Sequence, residues 1–234
     1  MEPHLHPHLH HEKKWKDYLF EFIMLFLAVS SGFIAENIRE NSVERHREKE
    51  YIRSLIEDIK KDTAALQMTI NQCVSDNKGM DSLELLARED LSQPQNIKLL
   101  YYYLIKYCVN NPAISWSDGT MQQLKNAGGL RLIQRSHAAD SIMNYDIFKE
   151  NINGQGVIVR LITQATIDAS DNLIDWTVFK GRPPGALLSL NPAPLFVQDK
   201  AKQQFFFNKM ERKRATSIFF INRCETQFQK ASGL

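Results

Sequence analysis

Residues 15–35 read WKDYLFEFIMLFLAVSSGFIA, and the reading of this stretch decides the architecture. From residue 22 to residue 35 every side chain is apolar or small; Tyr18, Leu19 and Phe20 extend the run backwards across one acid, Glu21. As a helix, residues 18–35 measure about 27 Å at 1.5 Å per residue, close to the ~30 Å hydrocarbon core of a bilayer. Trp15 and Tyr18 stand where an interfacial aromatic belt belongs, with Lys13, Lys14 and Lys16 beside them. The stretch therefore predicts one transmembrane anchor over residues 15–36. Two other readings compete with it: a cleaved secretory signal and a buried core helix. The first is opposed by the helical pattern, which continues through Ile38 without a break. The second is allowed by the shortness of the run.

Within the anchor, Ala28 and Gly32 are four apart, as are Ser31 and Ala35. Small residues at this spacing let helix backbones approach closely in lipid, so these four are the candidate self-association positions. Glu21 lies one turn inside the lysine boundary and is expected to snorkel rather than to carry protons. Lysines precede the span, whereas Arg39, Arg45, Arg47 and Lys49 follow it among many acids. The two sides nearly tie, with a lean towards the tail inside and the domain outside the cytoplasm.

Before the anchor, residues 1–14 begin MEPHLHPHLHH, a His-rich tail too polar to fold, for which weak metal binding but no defined metal site is expected. After it, residues 37–51 carry opposite charges three and four apart on all sides, the pattern of a solvated helical stalk. Residues 52–234 then read as an all-α bundle. Ile52, Leu55, Ile59, Leu66, Ile70 and Cys73 form a seam with a repeat near 3.5, which residues 76–79 (Asp-Asn-Lys-Gly) are expected to end. Residues 97–109, IKLLYYYLIKYCV, read as a central core helix, its tyrosine hydroxyls meeting neighbouring backbone; a ligand platform is the rival reading. Asp118 or Ser117 can cap the next helix, with Gly128 closing it in the left-handed conformation. Two long helices follow, over about residues 136–179 and 198–230. Between them, a Pro- and Gly-rich connection is expected to pack Leu187, Leu188, Leu190 and Leu195 on the bundle.

Three patterns carry a resemblance: W-K-x-Y-L-x-E-F from Trp15, S-L-I-E-D-I-K from Ser54, and L-K-x-x-G-x-L-R-L-I from Leu124. With these the chain resembles a family of single-pass membrane proteins of Bacteroidetes-type bacteria, in which such an anchor leads into a helical domain. The resemblance covers about half of the chain. It implies architecture only, and brings no activity or catalytic residue with it; the expected location is the bacterial inner membrane, as a single-pass protein.

Chemistry is sparsely signalled. No phosphate-binding glycine loop, nucleophile elbow, HExxH or CxxC is present, and Cys73, Cys108 and Cys224 are far apart among apolar positions. Neither an enzyme nor a cofactor is expected. A net charge of +2 calls for no nucleic-acid partner. The last helix is basic, and Arg212, Lys213 and Arg214 are the candidate anion-binding residues, against the simpler reading of pairing with the acidic helix before it. The expected role is a membrane-anchored scaffold in a lipid bilayer, self-associating as a homo-oligomer or docking a protein partner. The alternative is a sensor or effector, even a pore, whose helical domain takes a small anion.

Overall fold

The computed structural model describes residues 14–126, 128–133, 136–181 and 199–232. The elements in chain order are α1 (Trp15–Leu86), α2 (Pro94–Tyr103), a π-helical turn (Leu104–Cys108), α3 (Gly119–Asn126), a 3₁₀ turn (Gly129–Leu132), α4 (Ser136–Ser170), a second 3₁₀ turn (Trp176–Phe179) and α5 (Lys200–Ser232). No strand occurs among the described residues, so the all-α expectation holds. The His-rich tail before Lys14 and the connection carrying Leu187, Leu188, Leu190 and Leu195 lie outside the described residues.

The chain divides into two compact units, Met1–Ile52 and Arg53–Leu234, and α1 contributes to both. In the first unit the described residues form helix from Trp15 onward, and the large apolar side chains of residues 18–35 are all exposed. Its charged part holds pairs such as Arg39 with Glu36 and His46 with Glu50, each open to solvent.

In the second unit α1 buries Leu55, Asp62, Leu66, Thr69, Ile70, Cys73, Asp76, Met80 and Leu83. Most of these recur at three, four or seven residues, which keeps one stripe inward as the 3.5 repeat requires. Contrary to expectation, the helix does not stop at residues 76–79 but runs on to Leu86. The reason is packing. Gly79 is a notch for the Tyr107 ring, since a Cβ there would fall among the ring carbons, while Met80, Leu83 and Leu86 join the core beyond it. A glycine that reads as a stop in sequence is here a seat for an aromatic ring.

Two apolar clusters result. One joins the end of α1 to α2, the π turn and the start of α5, with Leu83, Leu100, Leu104, Leu173 and Phe206 at its centre. The other packs Leu66, Ile70 and Cys73 of α1 on Ile152 and Val159 of α4 and on Phe220 and Cys224 of α5. Pro94 opens α2 at its first turn, where its missing N–H costs nothing. Tyr101 is buried, and its hydroxyl accepts from the Asp175 backbone N–H at 2.8 Å, as the core-helix reading expects. Gly128 adopts φ +63°, the left-handed conformation foreseen for it. The helix expected over residues 136–179 is α4 to Ser170, followed by a separate 3₁₀ turn whose Thr177 N–H is capped by Asp175. Gly154 and Gly156 stay within α4.

Candidate functional site

The seam of α1 carries the second unit's most unusual chemistry. Asp62, Thr69 and Asp76 are seven residues apart, so they return to the same place on the inward stripe, and all three are buried. Each receives a different point of the segment after the π turn. Asn110 Nδ2 donates to Asp76 at 3.0 Å, Thr69 Oγ1 donates to the Ala113 carbonyl at 3.2 Å, and the Ser117 backbone N–H donates to Asp62 at 2.6 Å. One turn further back, Asp58 accepts from the Thr120 N–H at 3.3 Å. The irregular segment from residue 110 to residue 118, with the first turn of α3 after it, is thus laid antiparallel along α1, its backbone groups met by side chains.

Asp62 is the centre of a buried polar cluster. Only 1% exposed, it also accepts from the Tyr145 hydroxyl at 3.0 Å and lies 3.4 Å from Lys149 Nζ. Lys149, itself buried, reaches Asp118 as well and stands 5.3 Å above the Trp116 ring. The Trp116 indole N–H donates to Asn153 at 2.7 Å. Burial, with Asp62 alongside, pushes the Tyr145 phenol far above its ordinary range. Nearby, Lys125 pairs with Asp146. This arrangement fixes a helix, a loop and α4 in one register; it positions no open nucleophile.

The second polar centre surrounds Lys213. Its ammonium donates to the Cys108 and Asn110 carbonyls, which the end of the π turn leaves without helical partners. Burial pulls the Lys213 ammonium below its usual value. Asp76, close by, accepts from Gln72 at 2.9 Å and Asn110 at 3.0 Å, yet burial lifts its carboxyl above the usual range, outweighing those bonds and the Lys213 charge. A raised folded value means that this contribution to stability is present below the unfolded carboxylate value, about 4, and lost as pH rises through the folded one. Asp76→Asn keeps the Oδ1 acceptor and removes the buried charge. Its melting temperature should therefore exceed the parent's most at pH 7–8, with the gap closing near pH 4; a gap unchanged across that range would refute the assignment.

The candidate anion residues do not converge. Arg212 is exposed, Lys213 is buried under the π turn, and Arg214 pairs with Asp81 at 2.8 Å and Glu211 at 2.6 Å. Consecutive residues point about 100° apart on a helix, so a basic triplet in sequence seldom makes one cradle. Ala28, Ser31, Gly32 and Ala35 remain together on one helix, with open space around Gly32 and the Ser31 hydroxyl turned back onto the Ala28 carbonyl at 3.0 Å. Cys73, Cys108 and Cys224 are free and buried, their thiols pushed up to about 11, 12 and 12 by burial. Among the described residues no group of three or more His, Cys, Asp or Glu could hold a metal ion.

Sequence reasoning missed Asp62, Thr69 and Asp76, although their seven-residue spacing inside an apolar seam was the available signal. These features define an all-α protein with, among the described residues, one helix long and apolar enough to cross a membrane, none of that window buried. The chain matched no protein-family model, no curated protein and no solved structure.

Proposed function

We propose that the chain is a single-pass scaffold of the bacterial inner membrane, whose helical domain associates with a second copy or docks a protein partner. One observation supports this reading: the side chains of residues 22–29, from Phe22 to Val29, are exposed, and none of the apolar window is buried among the described residues. In water such a surface far exceeds what a soluble protein tolerates, whereas in hydrocarbon it costs nothing. The stripe of Ala28, Ser31, Gly32 and Ala35 then serves helix–helix approach in the bilayer. An anionic ligand on α5 finds no such support, because Lys213 already serves buried carbonyls.

Membrane extraction tests this. Expressed at full length, the chain should stay with the membrane through alkaline carbonate and need detergent for release. Phe26→Arg puts a charge near the middle of the run at a cost of about 3 kcal/mol and should shift much of the protein to the carbonate-soluble fraction. A parent protein that is monodisperse in buffer without detergent overturns the reading. The domain's side is read with an impermeant maleimide on Ser54→Cys, the native thiols being buried; labelling of intact cells is expected for a domain outside the cytoplasm.

A further inference from the structure

Successive side chains of α4 turn to different neighbours. Lys149 reaches Asp62 of α1, and Phe148 lies under the Lys230 ammonium of α5. Ile147, one residue earlier and about 100° further round, is exposed. Gly154, Ile158 and Leu161 follow Ile147 at seven, eleven and fourteen residues, so they point the same way to within about 40°, and all are exposed. Glu150 and Asp168 come two residues after Phe148 and Thr166, which face α5. They are therefore turned about 160° from α5, to the far border of this apolar line. On α5, Arg214 pairs with Asp81 of α1, and Gln227 donates to the Tyr145 carbonyl of α4. Phe205, Arg212, Phe219, Arg223 and Lys230 recur at seven, seven, four and seven residues, on the side of Gln227 away from Arg214, and all are exposed. Arg223 lies over Phe219 at 5.1 Å. Among the described residues no ion pair engages Arg212, Arg223 or Lys230, and the neighbouring acid Glu211 is held by Arg214.

The two helices run antiparallel, with Thr166 donating to the Lys209 carbonyl and Gln227 to that of Tyr145. This sets Ile147 level with Lys230, Gly154 with Phe219 and Leu161 with Arg212, to within about one turn. The face turned away from α1 is therefore graded across its width. Acids line the α4 border, aliphatic residues and Phe219 fill the middle, and cations without carboxylate partners line the α5 border. We infer that this face docks an amphipathic helix of a partner protein, laid lengthwise, its apolar stripe inward and its acids on the flank over α5. Arg212, Arg223 and Lys230 are eleven and seven residues apart, each step close to a whole number of turns, so the partner's acids recur at the same steps. Open space around Gly154, level with Phe219, takes a large apolar side chain of the partner. The patch from Ile147 to Leu161 is about 21 Å long, some four helical turns. Charge selects this occupant over two others. A uniformly anionic lipid leaflet would set like charge against Glu150 and Asp168, whereas a helix can carry acids on one flank alone. The same face of a second copy keeps its α4 acids at its own far border, away from these cations.

The probe is a synthetic helix of about 20 residues with one leucine stripe and glutamates eleven and seven apart on one flank. It is titrated by fluorescence anisotropy against the full chain in nonionic micelles, beside a control peptide with lysines in place of the glutamates. The parent is expected to bind the acidic peptide at least about tenfold more tightly than the control, with the gap narrowing at high salt. Arg212→Glu combined with Arg223→Glu, both on the surface, should reverse that order, and Leu161→Ser should weaken the acidic peptide about tenfold. Melting temperatures check that each variant folds; should Leu161→Ser fail to, the charge reversal stands alone. Absence of binding, equal affinity for the two peptides, or an order that survives the charge reversal overturns the proposal. So does another occupant of the face. Self-association in micelles that Phe219→Ser abolishes assigns it to a second copy. Slower hydrogen exchange of α5 in nanodiscs containing phosphatidylglycerol than in phosphatidylcholine alone assigns it to lipid headgroups. The inference deepens the partner-docking part of the scaffold reading and rests on it, not on membrane insertion, so carbonate extraction and the peptide titration can fail separately.

Discussion

Asp62→Ala should lower the unfolding free energy of the full chain in micelles by about 3–5 kcal/mol, read by thermal or denaturant unfolding followed by circular dichroism. The size follows from what the carboxylate leaves behind. Lys149 Nζ, 3.4 Å away, loses one of its two carboxylates and keeps only the half-exposed Asp118. The Tyr145 hydroxyl and the Ser117 backbone N–H, at 3.0 and 2.6 Å, lose their acceptor in a place water does not reach readily. A buried ammonium left with one half-exposed partner is the costliest of these, since the protein cannot resolvate it without opening α4 from α1. The partner variant separates this from simple loss of packing. Adding Lys149→Met to Asp62→Ala removes both charges and should recover much of the loss, because a buried ion pair as a whole contributes little beyond what apolar residues would. A single variant that loses less than about 1 kcal/mol, or a double that is worse than both, would refute this account of the cluster.

Gly79→Ala should be destabilising by at least about 2 kcal/mol, although helix propensity alone argues for a gain of about 1 kcal/mol. The new methyl would occupy the place of the Tyr107 ring, so α1 and the π turn must separate or the ring must leave its seat. Gly156→Ala in α4 is the informative comparison. There a Cβ would lie 3.7 Å from the Phe220 ring, an ordinary contact, and the same substitution should stabilise by about 0.5–1 kcal/mol. Opposite signs for the two glycines would confirm the packing account; equal signs would leave propensity as the better explanation. Gly79→Ala should also loosen Lys213, because the carbonyls it holds at Cys108 and Asn110 flank the displaced turn.

The legible and illegible parts of this chain divide along a physical line. The inward stripe of α1 was readable from Leu55 to Cys73 because apolar residues return at the helical period. Its polar members were not, because an aspartate inside an apolar seam looks like a solvated residue until its partners are known, and the partners outside α1 lie 34 to 87 residues away. Gly79 misled for a related reason: glycine's preference for helix ends is a weak local bias, and an aromatic ring from residue 107 outweighed it. The π turn has no counterpart in the apolar pattern of residues 97–109, and without it Lys213 has no visible reason to be buried. Gly128, by contrast, was foreseen because its positive φ is a property of the residue itself. As for the basic triplet at residues 212–214, closeness along the chain says little of closeness in space, and Arg214 pairs with Asp81 and Glu211 while Lys213 turns inward.

The seven-residue rhythm of Asp62, Thr69 and Asp76 bears on how any stimulus could pass along α1. Sliding the helix one heptad, about 10 Å, against its neighbours would carry an aspartate to where the Ala113 carbonyl waits for a hydroxyl, and would take from Lys149 one of its two carboxylates. A quarter-turn would drive both carboxylates out of their seats. Piston and screw motions between α1 and the laid-down strip are thereby blocked, so a push arriving at Arg53 can only carry the domain as one block.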